Sequence, residues 1–362
     1  MPALRGFFTA IFLLGKASLS SDNAVAALHQ WGAEQIQQDP ADLPELQMVS
    51  GDASFRRYYR LFPAAQAPLI AVHAPPDKED NESFVKVQKL LFDNGLRVPA
   101  LLGWEREQGF LLQEDFGGQL LLPLLESTEI AEPFYLQAMA SLQAMQAIKV
   151  SAGELPAYDR ARLMQEMALL PDWFIEQLLG YSLSETERKM LGEVFELLCD
   201  SALAQPQVVV HRDFHSRNIM VLEDKALGLI DFQDAVLGPY TYDLVSLLRD
   251  CYVSWSPAQV QAWALAYRAM LVDGGVPVAE PEAFLRQFDL MGLQRHIKVL
   301  GIFARLFLRD GKDGYLNDLP LVITYTLEVA RAYPELAEFV AWFEEKLLPL
   351  AQQQSWYRVV SL

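Results

Sequence analysis

The chain has 362 residues, 52% of them apolar, with no low-complexity tract and no repeat period, which suits a globular protein of two domains or lobes. A formal charge of −18 argues against nucleic acid or an anionic membrane as a partner. Cys199 and Cys251 lie in apolar helical patterns with no C-x-x-C spacing, so they are expected as buried thiols in a reducing compartment.

Residues 1–20, "MPALRGFFTAIFLLGKASLS", place Arg5 before a short apolar run and small residues, a weak signal-peptide pattern. The run is too short to span a bilayer as a helix, and Lys16 interrupts the passage to a cleavage site. An N-terminal extension that stays disordered is the expectation. From Ser21 the chain reads as a helix through "AVAALHQWGAEQIQQ", then three strand-like pieces, "LQMVS", "RYYRLF" and "LIAVHA". A helix runs from near Asn81 to Gly95, and "GFLLQEDFGG" reads as a strand entering a flexible connector. Beyond Gly118 long amphipathic helices take over, among them "PFYLQAMASLQAMQAI" and "SETERKMLGEVFELLCDSALA", the latter opened by a capping box of Ser184 and Glu187. Two strand-like pieces in this half, "VVVH" and "ALGLIDF", flank a polar loop. The expected class is α+β: a small β-rich lobe over residues 21–116, a hinge near Phe116, and a larger helical lobe over 117–362.

The polar loop is "HRDFHSRN", from His211 to Asn218. Asp213 and Asn218 stand five apart, and the next strand presents Asp231. Phosphoryl transfer from ATP needs a carboxylate to orient an acceptor hydroxyl and take its proton. It also needs oxygen ligands to hold magnesium against the phosphates. Asp213 fits the first role, and Asn218 and Asp231 the second. Asp and Asn also favour ordinary turns, but a turn requires no second acidic strand end. His211 takes a supporting part through backbone hydrogen bonds. His215 has no companion His or Cys at zinc spacing. Arg212 and Arg217 stand open between phosphate neutralisation and loop scaffolding.

The segment "VVVHRDFHSRNIMVLEDKALGLIDFQDAVLGPYTYDLVSLLRD" resembles the aminoglycoside phosphotransferase and choline kinase family, which has a protein-kinase-like fold of two lobes. "GDASFRRYYR" from Gly51 and "RHIKVLGIFARLFLRDGK" from Arg295 resemble, within it, the bacterial anomeric kinases of N-acetylmuramate and N-acetylglucosamine, which make the sugar 1-phosphate in peptidoglycan recycling. The resemblance covers residues 22 to 350. It implies Asp213 as catalytic base, Asn218 and Asp231 as magnesium ligands, and Asp243 and His215 as supports of the loop. Gly51, Asp52, Ala53 and Ser54 match the loop over the ATP phosphates, and Gln113, Glu114, Asp115 and Phe116 the hinge that meets adenine. It further implies a small-molecule amino sugar as substrate. No membrane span and a monomer are expected, and because ATP is supplied in the cytosol the protein is expected to be cytoplasmic, with residues before Ser21 dispensable for activity.

One departure stands out. The third strand, "LIAVHAPP", carries His73 where such kinases place a lysine, so Arg56 or Arg57 is expected to neutralise phosphate. Related readings stay open: an aminoglycoside 3′-type enzyme would need an acidic cleft, a choline-type enzyme an aromatic cage, and a pseudokinase would bind nucleotide without turnover. The acceptor expectation rests on Arg295, Lys298, Arg305 and Arg309, which recur at helical spacing in a stretch without acids from Met291 to Arg309. Such a stripe can simply face water. In a chain with 47 acids against 29 bases it also suits the lactyl carboxylate of N-acetylmuramate, with Arg295, Lys298 and Arg305 as candidates.

Overall fold

The computed structural model describes residues 21–51, 55–151 and 153–360. The expectations for the N-terminal extension and for Asp52, Ala53 and Ser54 therefore lie outside the described residues. The described chain forms two compact units, residues 21–81 with Leu101–Asp115, and 82–100 with the chain from Phe116 on.

The first unit is an antiparallel sheet covered by a helix. Its strands are β1 (Gln47–Gly51), β2 (Arg57–Leu61), β3 (Leu69–His73), β4 (Leu101–Glu105) and β5 (Phe110–Glu114), in the order β1-β2-β3-β5-β4. The central strand β3 reads "LIAVH", and Ala71 and Val72 are buried between β2 and β5, as an unbroken apolar strand requires. Helix α1 (Ser21–Gln35) lays Leu28 and Ala33 into a core with Leu61, Ala71, Phe110 and Leu112. Strand β4 is not expected from the sequence: it is short, carries a glycine, and breaks register against β5 between Leu101 and Gly103. The β4–β5 turn depends on Gly109, at φ +70°, where an added Cβ would lie 2.0 Å from the Ala74 carbonyl oxygen.

The second unit holds helix α2 (Asn81–Asp93) from Glu82 on, then α3 (Thr128–Gln146), α4 (Arg160–Met167) and α5 (Glu185–Leu203). The capping box at α5 is present, with Ser184 and Glu187 each accepting from the other's backbone N–H. A π-helical segment, Leu170–Leu178, follows α4. Two short antiparallel ladders come next, β6 (Gln207–Val210) on β9 (Val236–Pro239) and, between them in the chain, the hairpin of β7 (Ile219–Val221) and β8 (Leu227–Leu229). Only β6 and β8 are foreshadowed in the sequence. Helices α6 (Tyr242–Leu248), α7 (Pro257–Asp273), α8 (Pro281–Asp310) and α9 (Leu319–Arg331) complete the part that frames the polar loop.

Every residue of α6 is buried, so the seven-residue helix is held by packing rather than by propensity. Helix α8 is the longest, at 30 residues, and packs against α5, α6, α9 and the π-helical segment. Its approach to Leu169 is so close that a Cβ at Gly301 would sit 2.3 Å from the Leu169 carbonyl carbon. Among the described residues no helix is long and apolar enough to cross a membrane. Cys199 and Cys251 are free and buried.

Candidate active site

Strand β6 is pinned through Val210 to Val236 of β9 and delivers the loop that starts at His211. The loop turns at once, because Arg212 stands at φ +78°, a strained value for a residue with a side chain. Asp243, in the first turn of α6 and fully buried, holds that turn: Oδ2 accepts from the His211 N–H at 2.6 Å and Oδ1 from the Arg212 N–H at 3.0 Å. Burial pushes the Asp243 carboxyl up to about 7, against these two hydrogen bonds. A second brace is Asp250, whose Oδ2 accepts from the Ser216 N–H at 2.9 Å and from the Ser216 hydroxyl. Asp250 has no signal in the sequence, since only the fold brings it to a residue 34 positions earlier.

Within the loop, the His215 N–H donates to the Asp213 carbonyl at 3.0 Å and the Asn218 N–H to the His215 carbonyl at 2.9 Å. These bonds carry the chain into β7. The β7–β8 hairpin then returns it, and the Ile230 N–H donates to the Asn218 carbonyl at 3.1 Å. Asp231, just beyond β8, stands at φ +64° with Oδ2 3.2 Å from Asn218 Nδ2. The structure thus brings together Asp213, Asn218 and Asp231.

Magnesium is the ion such a group implies, and these residues fit it. The Asn218 amide meets two acceptors, the Asp213 carbonyl at 3.0 Å and Asp231 Oδ2, which makes that atom Nδ2 and leaves Oδ1 for a cation. Gln233 Nε2 orients the Asp231 carboxylate through Oδ1 at 2.8 Å. Among the described residues no group of three or more His, Cys, Asp or Glu could hold a metal. A pair of hard oxygen donors is what magnesium takes when waters and phosphates complete its shell.

Burial works against the charge of Asp213, but Lys298, with Arg212 and Arg295 behind it, holds its carboxyl below the usual range, so it is ionised at neutral pH. His211 is 1% exposed, and burial pushes its imidazole down to about 4. It is a neutral support with its ring 5.9 Å from that of Phe214. His215, lowered by burial, packs edge-on to Tyr252 at 5.4 Å, and the Arg217 guanidinium covers the same tyrosine at 3.5 Å.

The basic residues divide by partner. Glu166 of α4 accepts from Arg212 and from the Tyr158 hydroxyl, and lies 3.1 Å from Lys298 Nζ, which also donates to the Tyr242 hydroxyl at 3.0 Å. Arg212 is therefore scaffolding, held by a glutamate that local spacing could not reveal. The α8 stripe does not face water as a whole: Arg295 and Lys298 are 4% and 7% exposed. Arg305 is half-buried, and Arg309 pairs with Asp310 outside.

In the first unit, Gly51 ends β1 opposite Arg57. Arg56 is 3% exposed, with its Nε 3.4 Å from Glu79. His73 stands opposite Arg57 on β2, and burial together with the Arg57 charge lowers its pKa, leaving it neutral at pH 7. Gln113 is buried, and the Asp115 carboxylate is gripped by the Arg60 guanidinium, Nη2 at 3.1 Å. In the second unit, Phe116 lies under Arg97 at 4.5 Å and against Gly228 of β8, where any Cβ would meet its ring at 2.5 Å.

Residues 45–280 match the model of a phosphotransferase enzyme family. The chain belongs to that family. A protein of Pseudomonas aeruginosa named N-acetylmuramate/N-acetylglucosamine kinase is 44% identical over 295 residues, 81% of this chain and 86% of that one. One of the same name from Neisseria meningitidis is 40% identical over 306 residues, 83% of this chain and 90% of its own. Among solved structures, the ethanolamine kinase of Plasmodium vivax aligns at TM-score 0.64 and 13% identity, covering 86% of this chain and 91% of its own. The choline kinase of Streptococcus pneumoniae aligns at TM-score 0.58 and 14% identity, covering 86% and 99%. These distant likenesses establish the kinase-like fold. Family membership makes the chain a phosphotransferase, and a braced carboxylate beside an oxygen-donor pair is the equipment such an enzyme needs.

Proposed function

We propose that this chain is an ATP-dependent kinase of N-acetylmuramate and N-acetylglucosamine, acting on the anomeric hydroxyl and serving peptidoglycan recycling in the cytoplasm, where ATP is supplied. The substrate follows from the names of relatives at 40–44% identity. The observation that carries the chemistry is Asp213, ionised and half-buried in a loop whose backbone is fixed by Asp243 and Asp250. Asp213 takes the proton of the sugar's C1 hydroxyl, the C1 oxygen bonds to the γ-phosphorus, and the bond to the β,γ-bridging oxygen breaks to release ADP. Asn218 Oδ1 and the Asp231 carboxylate would hold magnesium, which neutralises phosphate charge when bound. His211, neutral in this environment, supports the loop rather than exchanging protons. On the nucleotide side we assign Gly51–Ser54 to the phosphates, and the backbone of Gln113–Phe116 to adenine, the Asp115 side chain being engaged by Arg60. Arg56 or Arg57 would supply the cation that His73 cannot.

The test is ADP release with magnesium-ATP across N-acetylmuramate, N-acetylglucosamine, choline and a kanamycin-type aminoglycoside. Turnover is expected with the two sugars and at background with the others. Preferential turnover of choline or of the aminoglycoside would replace this reading.

A further inference from the structure

Four cations lie buried or largely buried around the polar loop, and three of them have carboxylate partners. Arg212 and Lys298 share Glu166, and Arg249 Nη1 donates to Asp289 at 2.8 Å. Arg295 is the exception. At 4% exposure it makes no ion pair with any described residue, and its one hydrogen bond is a 3.5 Å contact from Nη1 to the Cys251 sulfur. A thiol is a weak acceptor, so most of the guanidinium fork is unused. Its charge is balanced only at a distance, by Asp213 among others, so the fork itself is left without an acceptor and suits an incoming anion. Nε and Nη2 are unpaired among the described residues and not fully sealed, whereas the Nε atoms of Arg212 and Arg305 are buried without a partner.

Its place is as informative as its lack of a partner. Arg295 interacts electrostatically with Asp213 and with His215, yet stands beyond ion-pair distance of the Asp213 carboxylate. Lys298, one turn further along α8, is already engaged by Glu166 and Tyr242, so it cannot serve as the same receptor without breaking those contacts.

We infer that Arg295 is the subsite for a carboxylate on the acceptor, binding the lactyl group of N-acetylmuramate through its guanidinium fork. The inference rests on the sugar-kinase reading. In that sugar the lactyl ether leaves the ring at C3, two carbons from the C1 hydroxyl that Asp213 would address. One molecule can thus offer its hydroxyl to the carboxylate and its acid to the guanidinium. N-Acetylglucosamine has no charge to offer and leaves the fork solvated. The basic stripe accordingly splits into a receptor, Arg295, and a positioning residue, Lys298, whose charge acts on Asp213 while Glu166 holds it in place.

The experiment compares kcat and KM for both sugars in wild type and Arg295→Gln, with thermal unfolding as a control for folding. The ratio of kcat/KM for N-acetylmuramate over N-acetylglucosamine should fall by about 10- to 100-fold, the loss of one charge-assisted contact, and mainly through KM. An unchanged ratio would overturn the inference. A second arm needs no mutation: wild-type enzyme acting on N-acetylmuramate whose lactyl acid is converted to the amide should show the same loss, and full activity on the amide would overturn the inference equally. If wild type turns over neither sugar, the kinase reading fails on its own. Calorimetry of N-acetylmuramate with wild type and Arg295→Gln then decides the subsite separately, with equal binding counting against it.

Discussion

The proposed chemistry rests on one carboxylate, Asp213, and its neighbours are judged by what they do for it. If it orients the acceptor and takes its proton, Asp213→Ala should lower kcat by roughly 10²–10⁴ while ATP binding stays close to wild type. Near-normal turnover would remove it from the chemistry. Asn218 and Asp231 differ from it in kind. Asp231→Ala should abolish transfer, and Asn218→Ala should raise the magnesium concentration at half-maximal rate, read from a magnesium titration of ADP release. Asp243 has a signature of its own in pH. Its folded pKa, about 7, lies above its unfolded value, so its stabilising contribution is present below about pH 4 and lost as pH rises through 7. Asp243→Asn forfeits a backbone hydrogen bond at every pH. Relative to wild type it should nevertheless gain by several kcal/mol, about 1.4 per pKa unit, between pH 4 and 8 in denaturant melts. A pH-independent difference would show that the carboxyl titrates normally. Asp213, Asn218 and Asp231 are legible in the sequence because short spacing and a strand end fix them, whereas Asp243 is read only from the family resemblance. Asp250 and Glu166 are not legible, because no local rule ties them to residues 34 and 46 positions away.

Among the elements, strands β1, β2, β3 and β5 and the long helices follow from periodicity and caps, down to the capping box of α5. Strands β7 and β9 have three and four residues and exist only through their partners, so their own sequence carries little signal. Helix α8 shows a different limit. Its charge stripe is visible in the sequence, but that Arg295 and Lys298 point inward is decided by α6 and the π-helical segment packed against it. That packing turns on Gly301. Gly301→Val would drive a side chain into the Leu169 backbone and should cost about 1–3 kcal/mol or more, read as a lower urea midpoint at unchanged slope. A midpoint equal to wild type would mean that α8 is not seated so close.

Across the whole molecule, the net charge of −18 and the buried cations beside Asp213 answer different questions. The first concerns the solvated surface. The second belongs to one site, where burial multiplies the effect of each charge. Under the proposed chemistry a polycationic acceptor would meet the charges of Arg295 and Lys298 that act on Asp213, whereas an acidic sugar would be drawn there. Composition alone could not separate these substrates, because it averages over surface and interior. The central claim is that the phosphate goes to the anomeric oxygen of an amino sugar, and the direct measurement is NMR of the product formed from N-acetylmuramate with magnesium-ATP. The account predicts a phosphorus resonance coupled to the C1 proton, a sugar 1-phosphate, absent with Asp213→Ala. Phosphate at C6, or ATP consumed with the sugar unmodified, would contradict it.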